Sequence, residues 1–297
     1  MTAETAPRQA PDLREPKGWR RAKNRIATVL MVIAFVLVII PLGFVLFTVV
    51  AKGASVISWS FLTSSIPVNV APADVGGMGP AIVGTIEITA LATVMAVPLG
   101  VLGAVYLSEY GGRNWLAALI GFMSDVMTGV PSIVMGLFIF SIWVLHFGFS
   151  GLAGAFALGC LMLPIVIRSS YEMLRLVPNS LREGSYALGA TKSRVTVTVV
   201  LPSAAGGIVS GILLAIARAA GETAPLLFTI LTVTSANPNV FSGANTSLPS
   251  QIFSNANQPY VGAAQRGWAA ALTLIAICFI LMIAARFVTA RFARYQR

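Results

Sequence analysis

Charged residues are scarce in this chain: Asp, Glu, Lys and Arg make up 10% of 297 residues, against about 25% in a soluble domain. With 57% hydrophobic residues and a mean hydropathy of +0.84, that scarcity excludes a soluble globule and indicates an integral membrane protein. Cysteine is almost missing. Cys160 and Cys278 each sit in an apolar stretch without neighbouring ligand residues, so neither a disulfide framework nor a metal centre is expected. The one histidine, His146, ends an apolar run beside Phe147 and Gly148, a place that suits the membrane interface better than a base or ligand. No GxxxxGK[ST] loop is present, so the chain lacks a nucleotide-phosphate cradle. The acids within apolar runs are scattered singly, which argues against an intramembrane enzyme built on paired carboxylates. No cofactor is expected.

What charge there is leans positive, with 20 Lys and Arg against 10 Asp and Glu. A balance of this kind can mark nucleic-acid binding, but no recognition motif accompanies it and the basic residues flank hydrophobic runs. The charge therefore reports orientation in the bilayer, and no nucleic-acid partner is expected. Residues 1–25, with Pro7, Pro11, Pro16 and the cluster Arg20, Arg21, Lys23 and Arg25, read as a cytoplasmic tail. Six spans are expected, at 26–50, 80–107, 128–147, 151–167, 206 to about 233, and 268–286. An interfacial elbow helix from Arg113 to Met127 should precede the third, because Pro131 in TGVPS removes a backbone donor and pushes Val130 out of helical geometry. Residues 51–79, charged only at Lys52 and Asp74, and the uncharged stretch 235–265 read as extracytoplasmic. All basic residues but Lys52, Arg266 and Arg218 then fall on the inner side, so both termini, including the tail at 287–297, should be cytoplasmic.

Arg218 stands inside the fifth span, in the string ARAAGETAP, with Glu222 one turn further on. An ionisable group at bilayer depth is costly and usually lines an interior polar path. Arginine suits an anion, since its planar fork grips phosphate, sulfate or carboxylate through two parallel bonds and stays charged. The plainer alternative is an ion pair that neutralises itself within the helix. Gly221 and Pro225 should loosen this helix, and TGVPS the third, turning backbone groups towards a wet cavity. Thr223, Thr128 and Ser132, beside these breaks, are the further candidates for lining the path. Asp125 and Glu87 read as structural or interfacial.

The long inner loop holds EGSYALGATKSRVTVTVVLP at 183–202, which reads as a short helix, a break at Gly189 and a second helix closed by Pro202. Two short helices at an angle form a knob that can enter a groove on a soluble partner. Glu183, Gly184, Ser185, Gly189, Val199, Leu201 and Pro202 stand at the spacing of the EAA loop, and by them the chain resembles the permease subunits of binding-protein-dependent ABC importers. Gly-Ser replaces the family's usual Ala-Ala; both are small, although Gly184 lowers helix propensity by roughly 1 kcal/mol. ARAAGETAP at 217–225 and GVPSIVMGLF at 129–138 are similar to the phosphate-specific, PstA-type branch of that family.

The resemblance implies an all-α, polytopic MetI-like permease fold with six transmembrane helices, a core at 80–286, and Glu183, Gly184, Ser185, Gly189, Leu201 and Pro202 as the ATPase-coupling residues. It implies phosphate as cargo, with sulfate or molybdate as the alternative. It further implies a homologous second permease, a cytoplasmic ATPase dimer that hydrolyses the ATP, an extracytoplasmic phosphate-binding protein, and surrounding lipid in a bacterial or archaeal cytoplasmic membrane.

Overall fold

A computed structural model describes residues 18–67, 75–112 and 114–294. Most of the expected N-terminal tail, Asp74, Arg113 at the start of the elbow and the last three residues of the C-terminal tail lie outside the described residues. Among the described residues every regular element is helical. The chain divides into two compact units, Met1–Thr48 and Val49–Arg297. The first consists, where described, of most of α1 (Gly18–Gly53). Its apolar side chains, such as Leu30, Phe35, Leu42 and Phe44, are exposed on every side, as befits a helix whose solvent is lipid.

In the second unit, α2 (Trp59–Thr63) leads into α3 (Gly79–Val105), which runs on through a π-turn at Tyr106–Tyr110. Next come α4 (Trp115–Gly129), α5 (Ser132–Ile139), a second π-turn at Phe140–Val144, α6 (Leu145–Phe147) and α7 (Gly151–Arg175). The short α8 (Asn179–Ala187) is followed by α9 (Lys192–Val195), a third π-turn at Thr196–Val200 and α10 (Leu201–Ala220). The unit ends with α11 (Ala224–Thr229), α12 (Leu248–Ala256) and α13 (Val261–Arg294).

Five helices are long and apolar enough to cross a bilayer, and the pair Trp115–Gly129 and Ser132–Phe147, bent by 108°, makes a sixth if it counts as one span. The bend falls at Val130 and Pro131, where TGVPS predicts it. Thr128, however, belongs to the last turn of α4 and not to the start of the third span. Further boundaries differ from expectation: α1 starts at Gly18, ahead of residue 26, α13 extends beyond 268–286 at both ends, and α12 lies within the expected loop 235–265. α7 continues past Ile167 to Arg175, so Arg168 and Arg175 sit on helix and not in loop. Pro202 does not close a helix: Lys192–Ala220 is continuous. The π-turn before it is the reason, since the Leu201 N–H bonds back to Thr196 O and the widened turn accommodates a residue that has no N–H of its own. The same helix ends at Ala220 instead of about Val233, because Gly221 and Pro225 interrupt it.

The core forms three tiers along α3, with a fourth cluster, Ile139, Val144, Ala153 and Ala157, where α5 and the second π-turn meet α7. Phe61, Met78, Leu248 and Ala269 pack at the start of α3; Ile88, Ala92, Leu158, Met162, Ala215 and Ala219 form the middle; Ala104, Leu174, Val195 and Ile208 close the far end. Without a hydrophobic drive between helices in lipid, close approach of small residues supplies the packing energy. A Cβ on Gly100 would lie 2.7 Å from Val166 Cγ1, and one on Gly136 would lie 2.6 Å from Pro225 Cα.

Candidate functional site

α7 supplies a ruler for depth. It starts at Gly151, beside Val240 and Thr229, and ends at Arg175, just ahead of α8. Its 25 residues rise about 1.5 Å each, the length of one bilayer crossing. The Arg218 side chain borders a shallow hollow with Leu161, Met162, Ile165, Ala215, Ala219 and Glu222. Leu161 to Ile165 are the middle turns of α7, so Arg218 lies level with the middle of that helix.

Local sequence explains how it gets there. Gly221 is a poor helix former and Pro225 offers no N–H, so α10 ends and α11 starts afresh at Ala224, with Glu222 and Thr223 in the break. Arg218 occupies the last turn of α10, where the orphan carbonyls favour a cation. Its Nε lies 3.7 Å from Glu222 Oε1, with 68% of the arginine side chain and 21% of the glutamate exposed. That separation is an ion pair without a hydrogen bond, and it leaves the fork of the guanidinium open.

The predicted lining residues converge only in part. Thr223 lies directly in the break. Thr128 and Ser132 flank the other break, and the Thr128 hydroxyl donates to its own helix at Ser124 O, 2.9 Å away. The two interrupted segments do meet, α5 against α11, through the close approach of Gly136 to Pro225. Among the described residues no hydrogen bond or ion pair joins Thr128, Ser132 or Thr223 to Arg218.

At the far end of α7, Glu183, Gly184 and Ser185 lie on α8, none of whose residues is buried. The Ser185 hydroxyl donates to Leu181 O at 2.8 Å. Gly189 turns the chain with φ +80°, a conformation that L side chains rarely adopt, and a Cβ there would meet open space. Leu176 and Leu188 are 73% and 90% exposed, apolar side chains left uncovered among the described residues. Leu201 and Pro202 lie on the continuous helix beyond it.

Two polar constellations escape sequence reasoning. Arg182 forms an ion pair with Glu109, Nη2 to Oε1 at 2.9 Å, with 14% and 5% of the two side chains exposed. Their 73-residue separation leaves no local pattern to read. Arg266, 1% exposed, donates from Nε to Asn255 Oδ1 at 2.8 Å and from Nη1 to Val75 O at 3.1 Å. Asn255 in turn donates to Gln251 O at 2.7 Å, and Gln251 donates to Val233 O at 2.8 Å, so a polar network ties α12 and α13 to the loops around them. Asp125 pairs with Arg168 at 3.5 Å, both exposed, which agrees with a structural role for it. Among the described residues, no cluster of His, Cys, Asp or Glu could hold a metal ion.

Comparison with known proteins places this geometry. Residues 96–294 match the family model described as binding-protein-dependent transport system inner membrane component. A phosphate transport system permease protein PstA 1 of Mycobacterium tuberculosis (strain ATCC 25618 / H37Rv) is 46% identical over 279 residues, covering 92% of this chain and 90% of that protein. A phosphate transport system permease protein PstA of Yersinia pestis is 42% identical, covering 94% of each. Among solved structures, an inward-facing MetNI methionine ABC transporter shares the fold with a TM-score of 0.62 at 16% identity, over 72% of this chain and 95% of that one. A bacterial alginate ABC transporter, in complex with a pentasaccharide-bound periplasmic protein, reaches 0.64 at 12% identity over 93% and 98%. The chain belongs to the binding-protein-dependent inner membrane permeases of ABC transporters and, among them, to the PstA family.

Proposed function

We propose that this chain is the membrane-spanning subunit of an ATP-driven importer that carries inorganic phosphate across the cytoplasmic membrane of a bacterium or archaeon. It works with a homologous second permease, a cytoplasmic ATPase dimer where the hydrolysis occurs, and an extracytoplasmic phosphate-binding protein. The tails at 1–25 and 287–297 are cytoplasmic, 26–50 is the first span, and 80–286 is the permease core. Within that core, 183–202 couples to the ATPase through Glu183, Gly184, Ser185, Gly189, Leu201 and Pro202.

One observation carries the reading: a guanidinium level with the middle of α7, 68% exposed and, among the described residues, held by an ionic contact of 3.7 Å. Phosphate near neutral pH is a mixture of monoanion and dianion, and either loses much hydration energy at that depth without a fixed counter-charge. Arg218 supplies the charge. Glu222 steadies the guanidinium in the empty path and accepts a hydrogen bond from the protonated oxygen of phosphate, a bond that fully ionised sulfate cannot offer. Thr223, Thr128 and Ser132 complete the lining at the two helix breaks. The charge distribution supports the orientation, since Arg168, Arg175, Arg182, Lys192 and Arg194 gather at the α8 end. The names of the PstA relatives support the cargo.

The test is reconstitution of the whole complex in vesicles, with labelled phosphate uptake measured with and without ATP. ATP-dependent uptake, with ATPase stimulated by phosphate-loaded and not by sulfate-loaded binding protein, is expected. Stimulation by the sulfate-loaded form alone would overturn the assignment of cargo.

A further inference from the structure

α8 has no buried residue, yet on the importer reading it must hand motion from a soluble motor to the membrane helices. Such a helix can transmit force only through the contacts that tether it. Arg182 makes its side-chain tether to the membrane helices. Its Nε and Nη2 donate to Glu109 Oε2 and Oε1 at 3.4 and 2.9 Å. Nη2 also donates to Leu174 O at 2.9 Å, and Nη1 donates to Val177 O at 2.5 Å and Asn179 Oδ1 at 3.3 Å. Five contacts match the five N–H donors of a guanidinium, a fork that the three donors of lysine cannot copy.

Glu109 stands in the π-turn that ends the long helix begun as α3, and π-turns often mark functional positions. The same turn holds the second arm of the loop, because Lys192 Nζ lies 5.1 Å from the centre of the Tyr110 ring. Both arms of the coupling loop are thus fastened to one turn of one membrane helix, and the arginine also binds the Leu174 carbonyl in the last turn of α7.

We infer that Glu109 and Arg182 are positioning residues of the transport cycle: the pair is the rigid joint through which displacement of α8 moves the Gly79–Tyr110 helix. This inference rests on the importer reading. Loosening the joint should leave the ATPase docked and active while fewer phosphate ions move per ATP.

The experiment uses the assembled complex in vesicles, with Glu109→Gln, Arg182→Gln and the double variant. Phosphate uptake and ATP hydrolysis are measured on the same sample, and co-purification of the ATPase reports assembly. Each single variant should lower uptake per ATP about tenfold, within the range of coupling seen for contacting residues, and the double variant should lower it no further. Arg182→Lys should also lose coupling, although its charge remains. A wild-type ratio in the single variants, multiplying losses in the double variant, or loss of the ATPase on purification would each overturn the joint. A wild-type complex that hydrolyses ATP and moves no phosphate would overturn the importer reading itself, and the joint with it.

Discussion

Replacing Arg218 by glutamine removes the charge and keeps much of the side-chain length. The structure sets the scale of the loss. The contact with Glu222 spans 3.7 Å, and 68% of the arginine side chain is exposed, so it behaves as a surface pair within one helical turn, worth about 0.3–0.5 kcal/mol. The order, with the cation on the N-terminal side, is the weaker one. A hydrogen bond between the guanidinium and an anion is worth about 1.5–3 kcal/mol, so phosphate outcompetes Glu222 for the open fork. Counting one such bond, because the arginine side chain is largely exposed, Arg218→Gln should slow uptake by about ten- to a hundredfold, at 1.4 kcal/mol per tenfold. The fold should barely register the change, since the lost pair contributes less than about 1 kcal/mol. Initial rates of labelled phosphate uptake in vesicles, beside thermal melting of the purified complex, separate the two. Uptake within twofold of wild type, or a loss that tracks a fall in melting temperature, would refute the reasoning. Glu222→Gln should retain most phosphate uptake and weaken discrimination against sulfate, read in the same assay with both anions.

Gly136→Ala places a Cβ 2.6 Å from Pro225 Cα and 3.0 Å from its carbonyl oxygen, and backbone cannot step aside as a flexible side chain can. A cost of about 1–3 kcal/mol is expected, visible as a lower melting temperature in detergent; an unchanged melt would show that α5 and α11 do not pack there. Arg266→Gln removes donors from Asn255 and Val75 inside a residue 1% exposed. It should cost about 1–3 kcal/mol and expose the α12 region to proteolysis, read by the rate of cleavage in the folded complex. Gly189→Ala meets no atom, so only its φ of +80° opposes it, at about 1–2 kcal/mol. Coupled transport should fall while the melting of the membrane core stays the same, and normal uptake per ATP would count against the knob.

The long apolar helices, the break at TGVPS and the turn at Gly189 were readable because each rests on local chemistry. Apolar length decides crossing, proline disrupts the geometry before it, and glycine permits a left-handed turn. Helix ends were less readable where two local rules compete. Pro202 carries the same helix-ending signal as Pro131, yet the π-turn at Thr196–Val200 absorbs it, because buried Thr196 and Val200 hold the chain against the helix bundle. Gly221 did end α10 well before the apolar run was exhausted, since hydropathy reports affinity for lipid and not helical continuity.

The amino-acid sequence by itself determined that this protein is a membrane component and which stretches are apolar and long enough to cross a bilayer, consequences of composition and spacing along the chain. The tertiary structure alone decided that Arg182 grips Glu109, that Arg266 is buried in a polar network, and that α5 meets α11 at Gly136. Those pairings join residues distant in the chain, and side chains so far apart find each other only when helix packing excludes other partners and the cost of burying a charge selects the one that compensates it.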